Sequence, residues 1–295
     1  MIDPKFKNDY PLTYFGLDPI SFESADVVIV PVPYEGTVSY GHGTSEGPRA
    51  IRIASRQVET YLPEKDADLF DLMKLYSLDD LEPCADGPRA MIDLVAHSID
   101  QVVSAGKFPS LIGGEHSVSL GAIESLIKRQ PYLTVVQIDA HGDLRDSYQG
   151  SKYSHACVMR RIRELAPAVQ IGIRNLSEDC HRYLKEKKLE STIFPPDNID
   201  LTRILDLCPG PVYITVDLDG LDPSIMPSVG TPEPGGLNWA EVLTLLSEIF
   251  KTKTVVGFDI VELAPQPANL SANFTAAKLL FKMLEFYRYS NQGTA

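Results

Sequence analysis

Apolar residues along this chain fall into two alternating patterns: short unbroken runs, and longer stretches in which they recur every third or fourth position. Unbroken runs stand at residues 27–32, 110–112, 134–138, 169–173, 212–216 and 254–260, with a shorter one near 192–194. Most are rich in Val and Ile, whose branched side chains pack well on a pleated surface, so each predicts a strand buried on both faces. Between the first two runs, Ile92, Val95, Ile99, Val102 and Val103 recur at helical spacing. They predict a helix over residues 89–105, ended by Gly106 as a C-terminal cap. Similar reasoning predicts helices over 49–61, 118–129, 157–165, 178–188, 237–250 and 272–287. Strands that alternate with helices imply a parallel sheet covered on both sides. The expected fold class is therefore α/β, with a doubly wound sheet of about seven or eight strands.

No internal repeat, low-complexity tract or long Pro/Gly/Ser linker interrupts this pattern, so residues 1–295 read as one domain. Residues 1–25 form an irregular, proline-punctuated lead-in, and 33–48 is a loop carrying Gly36, Gly41, Gly43 and Gly47. No basic-then-apolar leader opens the chain, and no apolar run approaches the ~20 residues of a membrane span. The four cysteines, Cys84, Cys157, Cys180 and Cys208, form no C-x-x-C pair. A reducing, cytoplasmic setting is expected, with the cysteines packed as small apolar residues.

Polar residues change the picture where they follow the strands, because open parallel sheets bind ligands beyond the carboxyl ends of their strands. His116 follows the 110 run, Asp139, His141, Asp143 and Asp146 follow the 134 run, Asp217 and Asp219 follow the 212 run, and Glu262 follows the 254 run. Acids clustered at the end of an apolar strand repel one another and are costly to desolvate unless a cation sits among them. In an extended tip alternate residues share a face, so Asp139, His141 and Asp143 are expected to converge. Two histidines and four aspartates are too many for one tetrahedral zinc site. Shared between two ions bridged by two carboxylates, they supply about four ligands each, and an oxygen-dominated, part-imidazole set suits Mn²⁺ better than metals that prefer soft ligands. Four carboxylates also balance two dications, leaving a bridging water free to ionise.

The formal net charge of −13 argues against nucleic acid or an anionic membrane as partner and is compatible with a cationic substrate.

With these clusters in view the sequence resembles the ureohydrolases, the arginase and agmatinase family, and within it the agmatinases of bacteria and archaea. The resemblance runs in order through YGHGTSEGPRAI (40–51), GGEHS (113–117), DAHGD (139–143), SHA (154–156), DLDGLDPS (217–224) and DIVELAP (259–265), covering most of the chain. It implies a three-layer α/β/α fold, a homo-oligomer (trimer or hexamer) and two Mn²⁺ per subunit. One ion would be held by His116, Asp139, Asp143 and Asp217, the other by Asp139, His141, Asp217 and Asp219, with Asp139 and Asp217 bridging. His155 would serve the substrate and proton transfer, Glu262 would receive the guanidinium, and Asp143 would pass a proton from a metal-bridging hydroxide to the leaving nitrogen. The implied reaction converts agmatine to putrescine and urea in polyamine biosynthesis.

Three departures accompany the resemblance. Glu115 stands where an aspartate is more common, and Gly142 where a threonine is frequent; neither is an expected ligand. Residues 144–153 lack the small polar pattern by which arginases hold the amino-acid head of arginine, which favours a decarboxylated substrate. N1-aminopropylagmatine, guanidinobutyrate, arginine or guanidine are alternatives with the same chemistry. A two-metal phosphoesterase would want basic residues or helix N-termini aimed at phosphate, whereas Glu262 and the acidic balance point to a cation. A catalytically silent binding homologue is disfavoured because every ligand position is filled. The glycines near residue 40 are followed by no phosphate-binding lysine, so they mark loop geometry. His42 reads as either an entrance residue or a solvated loop histidine, and Cys157 as packing.

Overall fold

The computed structural model describes residues 12–290; residues 1–11 of the expected lead-in lie outside the described residues. Among the described residues, ten strands occur in chain order: β1 (Val27–Val32), β2 (Tyr61–Leu62), β3 (Ala67–Asp68), β4 (Leu75–Ser77), β5 (Phe108–Gly113), β6 (Thr134–Ile138), β7 (Ala168–Ile171), β8 (Ile193–Phe194), β9 (Val212–Asp217) and β10 (Val255–Val261). The α-helices are α1 (Gly47–Ser55), α2 (Leu69–Leu72), α3 (Pro88–Ser104), α4 (Ser119–Leu126), α5 (Val158–Ile162), α6 (Glu178–Lys187), α7 (Leu201–Asp206), α8 (Trp239–Thr252) and α9 (Leu270–Tyr289).

Eight strands form one sheet in the order β4-β1-β5-β10-β9-β6-β7-β8, and every pairing in it is parallel. Strands β2 and β3 make a separate antiparallel hairpin. The unbroken apolar runs follow from burial on both faces. In β1, Val27 and Ile29 join the core beneath α1, α7, α8 and α9, while Val28, Val30 and Val32 join the core beneath α3, α4, α5 and α6. Each such side chain removed from water contributes about 1.5–3 kcal/mol. The result is a three-layer α/β/α arrangement.

Helix ends obey local chemistry. Asn238 and Glu241 form a reciprocal capping box, with side chain to amide distances of 3.0 and 2.8 Å, so α8 starts at Trp239. The helix expected over 49–61 is shorter, ending at Ser55, because Tyr61 and Leu62 are drawn into the hairpin with Ala67 and Asp68. The helix expected over 157–165 shrinks to α5, preceded by a 3₁₀ turn at His155–Cys157. Edge strand β4 and helix α7 escaped the sequence pattern because three and six residues are too short to display a period.

One topological fact positions the site. The strands preceding the polar clusters, β5, β10, β9 and β6, are four consecutive neighbours at the centre of the sheet. Being parallel, they deliver all four clusters to the same edge.

Candidate metal centre and substrate cleft

His116 opens the 3₁₀ turn after β5, and its imidazole Nδ1 lies 3.1 Å from Asp139 Oδ2, 3.3 Å from Asp143 Oδ2 and 3.1 Å from Asp217 Oδ2. His141 Nδ1 lies 2.9 Å from Asp219 Oδ2 and 3.6 Å from Asp139 Oδ1. Two groups with the spacing of metal ligands result, His116/Asp139/Asp143 and Asp139/His141/Asp219. Asp139 belongs to both, one carboxylate oxygen turned to each.

The convergence differs from the extended alternation expected for residues 139–143. The chain bends immediately after Ile138, where Asp139 Oδ1 accepts the His141 amide at 2.5 Å. Asp143 takes the left-handed conformation, φ 50°, with its carbonyl accepting the Arg160 amide at 3.0 Å. That backbone state is uncommon for a residue with a Cβ. It sends Asp143 to the His116 group while His141 joins the other. Across the sheet, Asp217 Oδ1 accepts the Asp219 amide at 2.9 Å, which leaves Oδ2 facing His116. Gly220 is required in that turn: a Cβ there would stand 2.8 Å from the Asp139 amide nitrogen. At Gly142, by contrast, the one clash a Cβ would make is with the tip of Leu176 at 2.3 Å, so Leu176 fills the space beside a residue without a side chain.

Electrostatics at this floor are dominated by burial and like charge. Burial, reinforced by Asp219 and Asp139, holds the Asp217 carboxyl well above the usual range, and Asp219 is raised by burial and Asp139. Burial and Asp143 push Asp139 up, but the imidazoles of His116 and His141 facing it prevail and its carboxyl is lowered. Burial alone would depress both imidazoles; the surrounding carboxylates outweigh it, raising His116 well above its ordinary value and His141 to about 12. Protons thus serve as the positive charge the acids demand.

Buried partners that the motif reading passed over hold this floor in place. His116 Nε2 lies 2.9 Å from Thr215 Oγ1, Thr215 donates to Asp259 Oδ1 at 2.6 Å, and Tyr213 donates to Asp259 Oδ2 at 2.8 Å. Because the Thr215 proton is given to Asp259, its oxygen accepts from His116 Nε2, which turns Nδ1 toward the carboxylates. On the other side Gln137 donates to Asp139 Oδ2 at 2.5 Å, and Gln170 bridges Gln137 to Arg163, which stands 3.0 Å away. The only sequence signals were an acid and two glutamines inside otherwise apolar runs.

Above the floor lies a cleft of about 180 Å³ lined by His141, Asp143, Asp217, Asp219, His155 and Glu262, with Tyr40, Arg145 and Tyr148 toward its rim. Glu262, at φ 68°, is also left-handed. Its Oε1 accepts the His116 amide at 2.7 Å, leaving Oε2 for a ligand, and burial holds its carboxyl well above the usual range despite that hydrogen bond. His155 is reached by Thr37, 3.2 Å from Nδ1, and faces the Tyr148 ring edge-on. The eight residues given a role from the sequence therefore lie at one edge of the sheet, whereas Asp146, in the same run, pairs with Arg161 at 2.7 Å on the surface. His42 instead pairs with Glu35 at 3.0 Å and is absent from the cleft lining. Cys157 is buried, its thiol pushed up to about 12 chiefly by burial, as fits a packing residue.

The donor set fits a pair of divalent cations. His116 Nδ1 is fully buried and has no aligned hydrogen bond although three carboxylate oxygens surround it. Such an atom requires a partner that the protein itself does not provide, and oxygen-rich, part-imidazole surroundings suit borderline to hard metals.

Comparison with known proteins agrees with this geometry. The sequence profile of the arginase family matches residues 25–285. An N(1)-aminopropylagmatine ureohydrolase of Synechocystis sp. is 38% identical over 287 residues, covering 92% of each chain. An agmatinase of Pyrococcus horikoshii is 35% identical, covering 91% of this chain and 94% of its own. Among solved structures, the agmatine ureohydrolase of Thermoplasma volcanium superimposes with a TM-score of 0.82 at 33% identity, covering 91% of this chain and 92% of that one.

Proposed function

The chain belongs to the arginase family, and from that premise we propose that it is a binuclear manganese ureohydrolase that cleaves agmatine to putrescine and urea. The observation that carries the proposal is the sharing of Asp139 between two His/Asp groups directly beneath a cleft into which the unengaged oxygen of a buried glutamate opens. His116, Asp139, Asp143 and Asp217 would hold one Mn²⁺, and Asp139, His141, Asp217 and Asp219 the other. When bound, such a pair supplies Lewis acidity and hydroxide near neutral pH.

The chain's own residues do the rest. Glu262 pairs with the planar guanidinium through charge-assisted hydrogen bonds and turns its carbon toward the floor. A C–O bond forms at that carbon as the bond to the alkyl nitrogen breaks. Of the two protons of the incoming water, Asp143 carries one to the departing nitrogen, which leaves as an amine, and the other reaches that amine by way of His155 and solvent, giving urea and an ammonium. His155 exchanges protons between the cleft and solvent, a role suited to an imidazole. One domain over residues 1–295, a homo-oligomeric assembly and a cytoplasmic setting complete the proposal; among the described residues no helix is long and apolar enough to cross a membrane.

A second substrate has specific support: four relatives between 36% and 38% identical carry the name N(1)-aminopropylagmatine ureohydrolase. Urea release by the Mn²⁺-loaded protein, measured on agmatine, N1-aminopropylagmatine, guanidinobutyrate, arginine and guanidine, separates the readings. Preference for agmatine is expected, and Asp139→Ala, which removes the carboxylate common to both groups, is expected to lower urea release to background and the metal content below two. Preference for N1-aminopropylagmatine would replace the substrate and keep the chemistry. No urea from any compound, with two ions bound, would overturn the hydrolase reading.

A further inference from the structure

The loop after β1 reaches across the site to His155. Glu115, wholly buried, accepts the amides of Gly36 and Thr37 through Oε2 at 2.7 and 2.6 Å. Through Oε1 it accepts the hydroxyls of Thr37 and Ser117 at 2.8 and 2.5 Å. The single hydroxyl proton of Thr37 is thereby committed to Glu115. Thr37 Oγ1 also accepts the His155 amide at 3.0 Å and stands 3.2 Å from His155 Nδ1.

An oxygen whose proton is committed elsewhere can only accept. In the neutral ring, Nδ1 must then carry the proton, and Nε2, on the opposite edge, keeps its lone pair. Ser154 Oγ, 3.3 Å from Nδ1, has a hydroxyl able to serve either role, so it does not select a tautomer. Glu115 and Thr37 do.

We propose that Thr37, backed by Glu115, is a positioning residue that fixes His155 as its Nδ1–H tautomer. Protons then arrive and depart at Nε2 alone while Nδ1 keeps its proton, donated to Thr37 Oγ1. The kinetic consequence rests on the hydrolase reading; the tautomer does not.

The test uses the full-length, Mg²⁺-free and Mn²⁺-free protein labelled with ¹⁵N at histidine, with His155→Asn identifying the His155 signals. The native protein and Thr37→Ser, which retains the hydroxyl, are expected to show a protonated Nδ1 and an unprotonated Nε2. Thr37→Val, close in shape but without the hydroxyl, is expected to show a mixture of tautomers. In the Mn²⁺-loaded protein, Thr37→Val is expected to lose roughly tenfold in kcat with KM and metal content unchanged, and Thr37→Ser to recover most of that loss. A native protein in the Nε2–H form, or a Thr37→Val protein with unaltered tautomer, would overturn the inference, as would a tautomer change without a kcat change in an active enzyme. A tautomer change in a protein that hydrolyses no guanidino compound would support the assignment and overturn the function instead.

Discussion

The floor of the cleft and its rim are built in different ways. On the floor, His116, Asp139, Asp217 and Asp219 are buried at the ends of neighbouring central strands, and each is fixed by a backbone amide or a buried side chain. At the rim, Tyr40 is 77% exposed, Tyr148 and Arg145 belong to a loop, and Arg145 is held by Asp179 at 3.3 Å across a partly exposed pair. Strand ends carry the charges that must not move. Loops carry the side chains that line the entrance. The difference teaches that metal binding and substrate preference should respond to separate sets of substitutions.

Glu262 joins the two regions and so gives the largest expected split. Glu262→Gln keeps the shape and the hydrogen bond from His116 but removes the charge proposed to pair with a desolvated guanidinium. That loss is expected to lower kcat/KM by about 10²–10³-fold, with metal content by elemental analysis unchanged. Loss of metal as well would place Glu262 with the floor.

Thr215→Val should act on the floor alone. It removes the acceptor of His116 Nε2 and severs Asp259 from the imidazole. Mn²⁺ affinity, measured by competition with a chelating dye, is expected to fall about 10–100-fold, and the order of preferred substrates to stay the same. A reordered panel would break the proposed separation.

A third expectation concerns pH. His116 and His141 are raised in the metal-free fold, His141 to about 12, and Asp217 and Asp219 are raised as well. All four hold more protons folded than unfolded, so stability falls with rising pH. The imidazole contribution is fully present below the unfolded histidine value, near ~6.5, and is lost as pH rises toward the folded values. The thermal midpoint of metal-free protein should therefore decline from pH 6.5 to pH 9, and Mn²⁺ should raise it more at pH 9 because the imidazole protons it displaces are released more easily into alkaline solvent. A metal-induced shift that shrinks as pH rises would refute this account of the floor.

The smallest effect belongs to the rim. Arg145→Ala breaks a partly exposed ion pair worth roughly 1 kcal/mol or less, so KM for each substrate should change by no more than about fivefold with kcat and metal content intact. Steady-state kinetics across the guanidino panel would test it.

Much of this could be read before folding. Unbroken apolar runs marked six strands of the sheet and a short seventh, and the motifs following four of them named the acids and histidines of the floor. Strand β4 was invisible because three edge residues carry no period. In the sequence Glu115 is a departure outside the expected ligands, yet in the fold it ties the loop at Gly36 and Thr37 to the site.

By itself the sequence determined which residue types stand at the ends of which strands, because burial on both faces of a parallel sheet demands runs that one can count along the chain. Tertiary structure alone decided their pairing. Only the parallel registry sets Gln137 beside Gln170 and Thr215 beside Asp259, and only packing holds Asp143 and Glu262 in left-handed conformations that local preference disfavours. Contacts between residues 78 or more positions apart, such as Glu115 with Thr37 and Thr37 with His155, leave no periodic trace, since nothing in the spacing of neighbours records which distant loops the sheet brings together.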